Sequence, residues 1–277
     1  MIRVVSEESR TGLENMAMDV SLMKHAERTK QPFFLRLYGW QPPCLSLGRF
    51  QSSDIIDKEY LRNRGYDLVR RPTGGGAVLH LSELAYSVIF FGQALKKPVA
   101  TGARLYIAIG RALQNAIDLM GLSTVISGLR SNKREDVCFG SASVGEITAG
   151  GRKLVGSAQL RSGNVVLQHG SIVIRSHPDE YGSCFLSSRQ KTLSRYIQRK
   201  MCGLEDVLGQ DIEVDALKTA VVVSFEKEFH QKSSYLNSGD LGDKFWEDVE
   251  IMRRFFSSDE WNSGRLPLDR RDSDRQP

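Results

Sequence analysis

The sequence predicts a mixed α/β (α+β) domain in which a multi-stranded, partly antiparallel sheet is covered by helices. Three observations carry that prediction: helical apolar stripes, a series of short β-like runs, and glycine turns that join some of those runs as hairpins. Residues 12–28 carry Leu13, Met16, Ala17, Val20 and Met23 at three- and four-residue spacing, the stripe of an amphipathic helix that lies on a sheet. Short β-like runs follow at 33–38, 44–48, 67–71, 77–81 and 85–91, punctuated by Pro and Gly. Residues 104–120 return to helical period through Leu105, Ile109, Leu113, Ile117 and Met120, with Gly121 as a stop.

Strands at 146–149, 153–161 and 165–174 come next. Gly150-Gly151-Arg152 and Ser162-Gly163-Asn164 join them as antiparallel hairpins. From about residue 189 the chain reads as polar and helical, with Val214, Leu217, Val221, Phe225 and Phe229 on one face and Phe245, Val249, Met252 and Phe256 on another. Residues 262–277 are rich in Arg, Asp, Ser and Pro and read as a disordered tail, leaving 1–261 as one domain.

With 277 residues and 40% apolar content the chain can bury a substantial core. No apolar run approaches the ~20 residues of a membrane helix, and the N-terminus lacks the apolar stretch of a secretory signal, so a cytoplasmic protein is expected. Cys44, Cys138, Cys184 and Cys202 form no C-x-x-C pair, which argues against a disulfide framework and a structural zinc site. The formal net charge of +5 suits nucleic acid, a membrane surface or an acidic protein. With no basic run, no helix-turn-helix and no zinc-finger spacing, an acidic protein partner is the plainest reading.

The segment Arg70-Arg71-Pro72-Thr73-Gly74-Gly75-Gly76-Ala77-Val78 matches neither nucleotide-binding glycine fingerprint. It lies between two strands, so it offers bare backbone rather than a helix N-terminus. Gly74, Gly75 and Gly76 let a ligand touch the main chain, and Arg70 or Arg71 could hold a phosphate or carboxylate. The alternative is a glycine-rich turn beside two solvated arginines.

Here the chain resembles the lipoate–protein ligase and octanoyltransferase superfamily, related to biotin–protein ligases. The likeness is carried in order by residues 12–19, 35–48 and 70–80, by Gly151-Arg152-Lys153-Leu154-Val155-Gly156-Ser157-Ala158-Gln159 and by Leu167-Gln168-His169-Gly170-Ser171-Ile172. It is nearest the Gram-positive-type octanoyltransferase, which has Cys-Phe before the lysine hairpin, as Cys138-Phe139 stands fifteen residues before Lys153. One departure is Gly76, where such transferases often have Arg.

The resemblance implies a class-II-synthetase-like single catalytic domain and a cysteine relay. Cys138 would take the octanoyl group from acyl carrier protein as a thioester and pass it to the lysine of a lipoyl-carrier protein such as glycine cleavage H protein or a lipoyl domain. Lys153 would supply a cation beside the thiol and a donor to the acyl carbonyl. Arg71, Gly74, Gly75, Gly76, Ala77, Val78 and Leu79 would bind substrate, with Val78, Leu79 and residues 88–91 as walls for the acyl tail. No metal and no nucleotide enter this scheme; the octanoyl group arrives on phosphopantetheine. His80 and His169 could orient the incoming amine or act as a base, but read first as core histidines satisfied by backbone; Glu146 reads as either an orienter of Lys153 or a solvated carboxylate, and Cys44, Cys184 and Cys202 as buried small side chains. Two alternatives share these motifs: an ATP-dependent lipoate–protein ligase, in which the glycine loop, Arg71 and Lys153 hold the acyl-adenylate, and a non-catalytic binder of acylated carriers.

Overall fold

In the computed structural model the residues described are 1–92, 102–126 and 146–263. The chain opens with β1 (Ile2–Ser6), α1 (Gly12–Thr29), β2 (Phe33–Tyr38), β3 (Cys44–Leu47), α2 (Lys58–Arg64), β4 (Asp67–Arg70), β5 (Val78–His80) and β6 (Glu83–Phe91). Next come α3 (Gly102–Leu119), β7 (Val125–Ile126), β8 (Ile147–Ala149), β9 (Arg152–Ser162) and β10 (Val165–Val173). The remainder is α4 (Pro178–Ser183), α5 (Gln190–Lys200), α6 (Leu204–Leu208), α7 (Val214–Phe229), β11 (Ser233–Tyr235), a 3-10 turn at Ser238–Leu241, α8 (Asp243–Ser257) and α9 (Asp259–Asn262).

Eight strands form one sheet in the order β11-β1-β2-β6-β10-β9-β8-β7, parallel at the β11-β1-β2 edge and antiparallel elsewhere. Both faces of its centre are buried, and the alternation of β2 shows why. Phe33 and Leu35 face the core under α3 and α7, whereas Phe34 faces the core under α1 and α8. Each fully buried aliphatic or aromatic side chain contributes ~1.5–3 kcal/mol, so these two helix pairs hold the sheet between them. α1 is started by a capping box: the Thr11 hydroxyl accepts from the Glu14 amide and Glu14 accepts from the Thr11 amide, an arrangement worth ~1 kcal/mol.

The fold class expected from sequence is the one found, with three corrections. The strands expected in one sheet are divided: β4-β3-β5 form a separate small sheet whose far side packs against Tyr181, Phe185 and Ile197. The C-terminal part is not purely helical, because β11 joins the large sheet beside β1, Ile2 pairing with Ser233. Asn262, expected at the start of a tail, is bonded to the domain, its carbonyl accepting from Arg70 and its side-chain amide donating to the Phe256 carbonyl; residues 264–277 lie outside the described residues. No helix among the described residues is long and apolar enough to cross a membrane.

Candidate functional site

The small sheet leans over the β9–β10 hairpin and the start of α1, and a narrow cleft that opens to solvent lies between them. Its walls are mostly apolar, with Met16, Tyr38, Trp40 and Val78 supplying carbon surface. Polar groups enter at His80, His169, Ser46, Ser171 and Arg71.

Each histidine is oriented by a carboxylate on one nitrogen and a hydroxyl on the other. His169 Nδ1 lies 2.9 Å from Asp19 Oδ2, and its Nε2 lies 2.7 Å from Thr73 Oγ1. His80 Nδ1 lies 2.5 Å from Glu83 Oε1, and its Nε2 lies 2.8 Å from Ser46 Oγ. An ionised carboxylate can only accept, so each Nδ1 carries a proton, and in the neutral ring Nε2 accepts from the hydroxyl. His80 is further fixed by stacking on Trp40, ring centroids 3.9 Å apart at 13°. These histidines are satisfied by side chains rather than by backbone, and both face the cleft, so the preferred reading of backbone-satisfied core histidines is corrected. The signal was slight: His80 ends one motif and His169 stands inside another, while Asp19 ends a third, 150 positions before His169.

Asp19 is fully buried, which alone would raise its pKa. The hydrogen bond from His169 and the charge of Arg36 outweigh that and hold it below the usual carboxylate range. Arg36 itself lies fully buried between Asp19, at 2.9 Å, and Glu7, at 2.7 Å.

Neither arginine of the glycine segment is solvated; Arg70 is 1% and Arg71 is 5% exposed. Arg70 donates to the carbonyls of Gly48, Arg49 and Gln51. Arg71 donates to those of Ser46, Gly74 and Gly76. The pair therefore braces the backbone around the loop. The loop presses on its neighbour: a Cβ on Gly48 would stand 1.9 Å from the Gly75 carbonyl, and Gly75 itself has φ 98°, a region that favours glycine. Of the residues expected to bind substrate, Arg71 and Val78 line the cleft. Leu79 alternates to the core under the small sheet, Ala77 is buried there with its carbonyl accepting from Tyr181, and Val88, Ile89 and Phe90 lie in the two main cores rather than on a cleft wall.

Lys153 is 3% exposed on β9 and donates from Nζ to Glu146 Oε1, so Glu146 orients it and is not a solvated carboxylate. It does not line the cleft; Gly156, Ser157 and Ala158 of the same strand do, ~10–17 Å further along at the usual strand rise. Cys138 lies outside the described residues. The other three thiols are buried and pushed upward by desolvation, Cys184 to about 12, with Cys44 and Cys202 also raised. No cluster of three or more metal-ligating side chains occurs among the described residues.

Fold and site together define, among the described residues, a mixed α/β domain with a narrow, apolar-walled cleft and a buried lysine further along one of the strands that line it. The chain belongs to the lipoyl protein ligase A/B catalytic domain family, whose model matches residues 11–226. It is 40% identical over 224 residues to Octanoyltransferase LipM of Moorella thermoacetica, covering 77% of this chain and 81% of that one. It is 33% identical over 267 residues to Octanoyltransferase LipM of Carboxydothermus hydrogenoformans, covering 94% and 97%. Among solved structures it resembles lipoate-protein ligase A bound with ATP, with a TM-score of 0.73 at 21% identity over 95% of this chain and 99% of that one, a likeness of fold alone.

Proposed function

We propose that this chain is an octanoyltransferase that moves an octanoyl group from acyl carrier protein, through a thioester on Cys138, to the lysine of a lipoyl-carrier protein in the cytoplasm. The transferase class is supported by relatives 31–40% identical over most of the chain. The observation that carries the reading within this molecule is the cleft, whose apolar walls suit a short acyl chain, each buried CH₂ contributing ~0.8 kcal/mol.

The Cys138 thiolate attacks the donor carbonyl. A new carbon–sulfur bond forms, the donor's breaks, and the pantetheine thiolate leaves and takes up a proton. The acceptor amine then forms the amide, losing a proton as Cys138 departs. Exchange of thioesters is nearly balanced and the amide is the more stable product, so the chemistry requires no ATP. Burial and raised pKa at Cys44, Cys184 and Cys202 make them poor nucleophiles, which favours Cys138 for the role. Lys153, held by Glu146, is the candidate donor to the developing oxyanion. The engagement of Arg71 with the loop carbonyls gives that residue a bracing duty that needs no nucleotide.

The test is incubation with octanoyl carrier protein and an apo lipoyl domain, with and without ATP, read by intact mass. An octanoylated enzyme that is absent in Cys138→Ala, and octanoylated acceptor without ATP, are expected. Strict ATP dependence would replace this reading with the ligase.

A further inference from the structure

The surface charge of the chain is unevenly neutralised. Arg64, Arg175, Lys218, Lys244, Arg253 and Arg254 all pair with carboxylates. Exposed cations outside the ion pairs also stand elsewhere, at Lys58, Arg62, Arg161, Lys227 and Lys232, but the segment 189–200 concentrates five, Arg189, Lys191, Arg195, Arg199 and Lys200, with no Asp or Glu among them. All five are exposed. Among the described residues no carboxylate pairs with Lys191, Arg195, Arg199 or Lys200. Lys191, Arg195 and Arg199 stand at four-residue intervals on α5, so they form one stripe, opposite the face that buries Ile197. Asp179 of α4 lines the same groove as Lys191 and Arg195 without an ion pair to either, and the remaining like-charge repulsion along the stripe is relieved when an anionic surface covers it.

The end of this helix is tied to the strand that carries Lys153, the proposed oxyanion donor. Met201, the next residue, forms a parallel bridge with Lys153, and the Cys202 amide donates to the Lys153 carbonyl at 3.0 Å. A protein resting on α5 therefore sits against the strand that carries Lys153. That proximity selects between the two carrier substrates. The acyl donor delivers its group on a long phosphopantetheine arm, whereas the acceptor must present a lysine, whose stem is four carbons long. The short-armed substrate has to dock close.

We propose that the Lys191–Arg195–Arg199 stripe of α5 is the docking face for the acceptor, a lipoyl-carrier domain with an acidic surface around its target lysine. This rests on the proposed octanoyl transfer, and the two are separated by taking the half-reactions apart.

In the experiment, acyl-enzyme formation from octanoyl-coenzyme A is measured by intact mass, and transfer to an acidic apo lipoyl domain is measured as a function of its concentration, for the parent and for Arg195→Glu/Arg199→Glu. The expected result is unchanged acyl-enzyme formation, a KM for the lipoyl domain raised about tenfold or more, and a salt dependence of transfer that is strong in the parent and largely lost in the variant. Lys191→Glu should raise KM by a smaller factor, and changing the acidic residues around the target lysine to Lys should restore transfer by the double variant. An unchanged acceptor KM overturns the docking face, as does an effect confined to octanoyl carrier protein or tight RNA binding that the variant abolishes while acceptor KM stays the same. Failure of the parent to form an acyl-enzyme overturns the transfer itself.

Discussion

His169 Nδ1 lies 2.9 Å from Asp19 Oδ2, joining two residues 150 positions apart and linking the cleft wall to the buried Arg36. Asp19 is held below its ordinary pKa in the folded chain, so its contribution to stability is present above the unfolded carboxylate value of ~3.9 and is lost as pH falls through the folded value. Asp19→Asn should therefore cost about 3 kcal/mol at neutral pH by weakening the compensation of buried Arg36, and should flatten the acid limb of the stability profile. Urea unfolding between neutral and acid pH checks both. An acid limb identical to the parent's would show that other carboxylates carry it.

The three described cysteines are buried, with pKa values raised chiefly by desolvation. Brief iodoacetamide treatment of the native protein at mildly alkaline pH should label Cys138 alone, with the other thiols reacting only after denaturation. Peptide mass mapping reads this directly, and native labelling of Cys184 would contradict its burial.

Lys153 and Glu146 are a buried pair, so removing one member changes more than the chemistry. Lys153→Met should lower acyl-enzyme formation on the order of a hundredfold, and it should also lower stability by leaving Glu146 without its lysine. Lys153→Met/Glu146→Gln should regain much of the stability and none of the rate. Thermal melting with single-turnover acylation separates the two effects; recovery of rate by the double variant would assign Lys153 a structural duty only.

Gly48 has no room for a methyl group against the Gly75 carbonyl, whereas a Cβ on Gly74 would meet nothing within 4 Å. Gly48→Ala should displace the loop, costing on the order of 1–3 kcal/mol and weakening acyl binding at the cleft, while Gly74→Ala should fold like the parent. Denaturant midpoints and the yield of acyl-enzyme provide the comparison.

The sequence by itself determined where helices and long strands run, because side-chain periodicity is local: the stripes of α1 and α3 and the β9–β10 hairpin stand within a residue or two of expectation. Its motifs also determined the family and marked the lysine and the glycine loop. The short strands β1 and β11 escaped, since five and three residues carry little periodicity and their pairing joins opposite ends of the chain. Tertiary structure alone decided which way side chains turn. Arg70 and Arg71 read equally well as solvated or as anion ligands until the neighbouring backbone placed carbonyls around them. Glu146 became an orienter only when β8 and β9 paired, and His80 and His169 became cleft residues only when Glu83 and Asp19 fixed their rings. A side chain's partner is set by what long-range pairing brings within 3 Å, and no local pattern encodes that distance.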